Sequence, residues 1–128
     1  MLGKYSIATL LPIFISICFL VIAQLLLKYG MNLVGKIELT NLDQLASLVI
    51  KVFITPPLLL GVILYIVSSF FWLVGLSKIE LSVAYPFVGL AYVLVALFSA
   101  IFLGETVTLV RWAGIFLILA GVILVSRT

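Results

Sequence analysis

Three stretches of the chain, 6–27, 58–76 and 83–103, contain no charged residue, and a fourth, 109–125, contains only Arg111. No other feature restricts the fold so tightly. A helix rises ~1.5 Å per residue, so about 20 apolar residues cross the ~30 Å hydrocarbon core of a bilayer with every backbone polar group bonded internally. Packing four such stretches into a water-soluble core fails on composition. Of 128 residues, 66% are hydrophobic and 9% charged. Soluble domains carry about a quarter charged residues, and so little polar surface cannot face water. The expected fold is all-α and integral to the membrane. It is a four-transmembrane-helix bundle forming a single transmembrane domain over 1–128. The fourth run is the shortest, but Trp112 suits the interface and Arg111 can snorkel to it. The first run follows Lys4 and is too long for the apolar region of a signal peptide, with no small-residue cleavage site after it, so it reads as a retained helix.

The connections differ in kind. Lys78-Ile79-Glu80-Leu81-Ser82 and Gly104-Glu105-Thr106-Val107-Thr108 are short and make antiparallel neighbours of the second, third and fourth helices. The first connection is long and holds Leu42, Leu45, Leu48, Val49, Val52 and Phe53 at helical spacing. Thr40-Asn41-Leu42-Asp43 has the form of a capping box, and Pro56-Pro57 ends the segment and opens the second crossing. A short amphipathic interfacial helix over 41–53 is expected, the alternative being an extension of helix two. Orientation is balanced. With a cytoplasmic N-terminus, Lys4, Lys78 and Arg127 lie inside and Lys28, Lys36, Lys51 and Arg111 outside. Three against four gives no positive-inside bias, so insertion in both senses and pairing with an inverted copy are open to the chain.

The residue inventory excludes most chemistry. Histidine is absent, Cys18 is the single cysteine, and Glu38, Asp43, Glu80 and Glu105 all fall in connections or at helix ends. No metal site, nucleophile set or phosphate loop is present, so neither an enzyme nor a cofactor is expected. No acid lies in mid-membrane to couple proton and substrate. Net charge is +3, which suits anionic lipid headgroups and is too diffuse for nucleic acid.

The polar and aromatic residues within the runs are the candidate site. Gln24 follows Ser16 and Leu20 at four-residue steps; a buried amide in lipid needs a partner, either another helix or a substrate. Lys28, one turn later, is a snorkelling flank or a cation for a phosphate. Helix two carries Gly61, Tyr65, Ser68 and Trp72 on one face, and helix three Tyr85, Gly89, Tyr92, Ala96 and Ser99. Two such stripes describe an amphipathic cavity wall, or simple packing with interfacial aromatics. Pro86 followed by Gly89 marks a bend. On helix four, Ala113-Gly114 and Ala120-Gly121 lie seven residues apart on one face, suited to a dimer contact or to packing within the chain.

Read together, Gln24-Leu25-Leu26-Leu27-Lys28-Tyr29-Gly30, Phe71-Trp72-Leu73, Leu81-Ser82-Val83-Ala84-Tyr85-Pro86, Gly104-Glu105 and the ending Leu119-Ala120-Gly121-Val122-Ile123-Leu124 resemble the drug/metabolite transporter superfamily at the size of its four-helix members. The small multidrug resistance branch has a glutamate where this chain has Leu20 and a tryptophan where it has Val88, while Tyr85 matches that branch's pocket tyrosine. Ala23-Gln24-Leu25, the amphipathic first connection and Ala91-Tyr92-Val93-Leu94-Val95 look closer to the subunits that flip aminoarabinose linked to undecaprenyl phosphate. That resemblance implies a flippase for a lipid-linked sugar, acting as a homodimer or as a heterodimer with a similar small subunit in a bacterial or archaeal cytoplasmic (inner) membrane. Together with the polar and aromatic stripes, this makes Gln24, Lys28, Tyr65, Trp72, Tyr85 and Tyr92 the expected substrate contacts, with Lys28 near the phosphate. The alternatives are a small exporter of amphipathic compounds and a non-transport subunit that stabilises a partner.

Overall fold

A computed structural model describes residues 5–127 and is helical throughout its regular structure. The order is α1 (Ile7–Val34), α2 (Leu42–Ile54), α3 (Pro56–Leu76), α4 (Leu81–Ala84), a 3₁₀ turn (Tyr85–Phe87), α5 (Val88–Phe102) and α6 (Leu109–Ser126). Lys4, used above in the charge balance, lies outside the described residues. α1, α3 and the continuous segment Leu81–Phe102 are each long and apolar enough to cross a membrane; the apolar stretch Leu109–Val125 is shorter.

α1 does not stop at Leu27. Lys28, Tyr29, Met31 and Asn32 continue it to Val34, because nothing in that stretch breaks a helix until Gly35 takes φ 91° and its N–H closes on the Met31 carbonyl at 2.8 Å. Lys28 is therefore a mid-helix residue rather than a terminal one. α2 is separate from α3. Asn41 caps it, its side chain accepting the Gln44 N–H at 3.0 Å, while the Gln44 side chain accepts the Thr40 N–H at 2.9 Å. The capping box is thus shifted one residue from Thr40/Asp43 to Asn41/Gln44. Thr55, held extended before proline, breaks the two helices apart, and Pro56-Pro57 open α3 two residues ahead of Leu58. The third apolar run starts at Leu81, before Val83, and is not one α-helix. Pro86, lacking an N–H, sits in a 3₁₀ turn that joins α4 to α5.

α1 and α3 form the tightest pair and run antiparallel. Gly75 meets Ile13, Gly61 meets Leu27 and the Ala23 carbonyl, and Gly30 meets Leu58, with no room for a Cβ at any of the three. Midway, Ser16 and Ser68 clasp the helices together. Each buried hydroxyl donates to the other residue's carbonyl at 2.8 Å. Around this pair Leu10, Ile13, Ile17 and Val21 bury against Ile79, Val83, Ala84, Phe87 and Ala91, with Val122 of α6 joining them. α6 packs chiefly on α5 and the 3₁₀ turn, its Ile118 and Val122 lying over Gly89. Much of the rest of the surface is aliphatic or aromatic and exposed, including Ile66, Phe70, Leu73, Ile101, Phe102, Leu117 and Leu124. A surface of this kind needs lipid or a partner to cover it.

Candidate functional site

Three adjoining clefts lie between the helices. The first, about 210 Å³, is bounded by Ser16, Leu20, Tyr65, Ser68, Ser69, Trp72, Tyr85 and Val88. Leu20 and Val88 also belong to the second, an almost wholly apolar and laterally open cleft of about 390 Å³ that adds Gln24, Gly89, Ala91, Tyr92, Val95 and Ile118. Tyr92 and Val95 pass in turn into the third, about 240 Å³, which ends among Ser99, Glu105, Thr106 and Arg111. Because α1 and α3 are antiparallel and α5 returns beside them, the three follow one another along the bundle. They begin near the α3–α4 connection, where Trp72 and Tyr85 stand edge to face at 6.3 Å. They end at the α5–α6 connection.

Five sequence-predicted residues therefore line one groove: Tyr65, Trp72 and Tyr85 in its first part, Gln24 and Tyr92 in its second. Lys28 does not line it. Lys28 is exposed on α1, one turn beyond Gln24 on the same face, toward the third cleft's end of the bundle. Of the small-residue stripe on α3, Gly61 faces α1 rather than the groove. Ser68 does both, bonding Ser16 and bordering the first cleft. Ala113, Gly114, Ala120 and Gly121 lie on or beside the outer face of α6, and a Cβ added at either glycine would meet nothing within 4 Å among the described residues.

Sequence reasoning missed the far end of the groove. Glu105 read as a connection residue and Arg111 as a snorkelling flank of the fourth helix, and what brings them together is a turn. Gly104 adopts φ 70°, a left-handed conformation that a side chain resists. The Glu105 N–H folds back on the Ser99 carbonyl at 3.3 Å, and Arg111 Nη1 donates to the Thr106 carbonyl at 3.1 Å. The Gly104-Glu105 pair ahead of α6 and a cation in the first turn of the apolar run, Arg111, were the available signals. Leu20 and Val88, at the junction of two clefts, put aliphatic side chains where a titrating acid and a large ring were the alternatives. Among the described residues no group of His, Cys, Asp or Glu is placed to hold a metal.

Comparison with known proteins decides the family. The model of the EamA-like transporter family matches residues 1–127. The chain belongs to the EamA-like transporter family. It is a membrane transporter and not an enzyme. Relatives of known name match over most of their length. A "Probable 4-amino-4-deoxy-L-arabinose-phosphoundecaprenol flippase subunit ArnF" of Photorhabdus laumondii is 36% identical over 88% of this chain and 92% of its own. The ArnF of Shewanella sediminis is 35% identical over 94% of this chain and 88% of its own. An ArnE flippase subunit of Yersinia pestis is 44% identical over a shorter stretch, 43% of this chain and 48% of its own. No solved structure gives a significant match.

Proposed function

We propose that this chain is one subunit of a dimeric flippase for an amino sugar linked to a polyprenyl phosphate, embedded in a bacterial inner membrane. The observation that carries the reading is the groove. It follows the bundle from the Trp72/Tyr85 end to the Arg111 end, is apolar through its middle and is open at the side. A sugar headgroup can descend such a path against Tyr65, Trp72, Tyr85, Tyr92 and Gln24 while its tail stays in the bilayer. Lys28 adds positive charge for the phosphate near the groove's end. The names of the ArnF relatives support the substrate class. The apolar aliphatic pair Leu20/Val88 speaks against proton-driven export of cationic drugs, where an acid must titrate.

Within this reading the chain is a single transmembrane domain of four crossings, with α2 lying in the interface. The apolar part of α6, Leu109–Val125, reaches ~26 Å at ~1.5 Å per residue, enough for a slightly thin bilayer with Arg111 snorkelling at its end. The open space at Gly114 and Gly121, with Ala113 and Ala120 beside them, supports a close approach by a second subunit, identical or ArnE-like. The balanced charges admit an antiparallel pair.

The test is translocation of a fluorescent polyprenyl-phosphate amino sugar in liposomes holding the purified chain, alone and with an ArnE-like partner. Movement above protein-free liposomes in either case is expected. Background rates in both would end the flippase reading.

A further inference from the structure

The groove ends in a pocket that carries one group of each charge. Glu105 and Arg111 both border the third cleft, together with the hydroxyl-bearing Ser99 and Thr106 and with Tyr92, which it shares with the second cleft. Both are fixed from the backbone side. Gly104 turns left-handed and the Glu105 N–H closes on Ser99, while Arg111 spends one of its several N–H donors on the Thr106 carbonyl. Resting on the flippase reading above, we propose that this pocket recognises a zwitterionic headgroup: Arg111 takes a phosphate, and the Glu105 carboxylate takes a primary ammonium on the same molecule.

The chemistry of each side chain fits its share. A guanidinium offers parallel donors to phosphate oxygens. A carboxylate accepts from an ammonium, and beside an apolar cleft both contacts weigh more than in bulk water. A lone anion would be repelled by Glu105 and a lone cation by Arg111, so the pair selects a molecule bearing both charges and rejects one bearing either alone. The amino sugar phosphate in the ArnF relatives' printed name has that character. Phosphatidylethanolamine carries the same two charges and is the rival source.

The experiment measures binding by native mass spectrometry in detergent and flipping in liposomes. It uses the full chain with three lipids: a polyprenyl-phosphate amino sugar, its N-acetylated form, and phosphatidylethanolamine as competitor. Wild type should bind and move the amine form about tenfold better than the acetylated form. Glu105→Gln should bring that ratio near one by losing the amine form, and Arg111→Gln should lower both. Both side chains are exposed, so helix content and melting should hold in each variant. An unchanged amine-to-acetyl ratio in Glu105→Gln overturns the proposal, whereas full competition by phosphatidylethanolamine upholds the zwitterion pocket and makes the bilayer lipid its source. Selective binding by wild type without flipping, whether alone or with an ArnE-like partner, leaves the pocket standing and removes the flippase reading instead.

Discussion

Single residues divide into those that hold the bundle and those that face the groove. Ser16 and Ser68 belong mainly to the first kind. Replacing Ser68 by alanine removes one buried hydroxyl and should cost about 1 kcal/mol of stability, read by unfolding in bicelles; an unchanged midpoint would show that the clasp is energetically idle. Lys28 belongs to neither kind, standing exposed beside the groove without lining it, and its part in transport is tested by substitution. Lys28→Arg should transport like wild type. Lys28→Gln should slow movement of a phosphate lipid several-fold with folding intact, and normal transport would remove Lys28 from the site. At this scale the sequence was legible where a residue type alone implied its surroundings. Four aromatic residues and an amide amid aliphatics mark Tyr65, Trp72, Tyr85, Tyr92 and Gln24. Which of the small residues pack and which line a wall depends on rotation by a fraction of a turn, and Gly61 fell on the packing side.

Among the elements, α2 and the Pro86 turn carry the most information. No residue of α2 is buried, and Leu42 and Phe53 stand 81% and 66% exposed. An apolar face left free by its own bundle belongs in lipid headgroups or against a partner. A fluorophore attached at Val49 in a Cys18→Ser background should be quenched by brominated lipid far more than one at Asp43; equal quenching would lift α2 off the membrane. Pro86→Ala restores a backbone N–H and should let the 3₁₀ turn relax toward a continuous helix. That rotates Tyr85 off Trp72, measurable as a change in Trp72 emission with Trp112 replaced by Phe; unchanged emission would show the turn is set elsewhere. Apolar periodicity and proline positions made the elements readable in outline. Their ends were less so, because the true stop of α1 is a φ of 91° at Gly35, and a Lys-Tyr-Gly sequence looks like an end without being one.

The whole molecule has two unlike faces: a groove that follows its length and the sparsely packed outer face of α6. Gly114→Leu and Gly121→Leu should leave the monomer's helix content intact, since a Cβ at either position meets no described residue within 4 Å, and should lower the dimer fraction in detergent. Unchanged fractions in both would move the partner's contact elsewhere. Binding of substrate should release no proton from a side chain inside a crossing, because the four acids of the chain lie in connections or on α2. The groove's missing side wall bears on something different, the length of the cargo. A closed cavity must measure everything it encloses, whereas an open slot encloses only what is polar. If the hydrocarbon never leaves the bilayer, each added isoprene unit contributes equally before, during and after passage, and so drops out of the barrier. Lipids with the same headgroup and tails of very different length should then cross at the same rate.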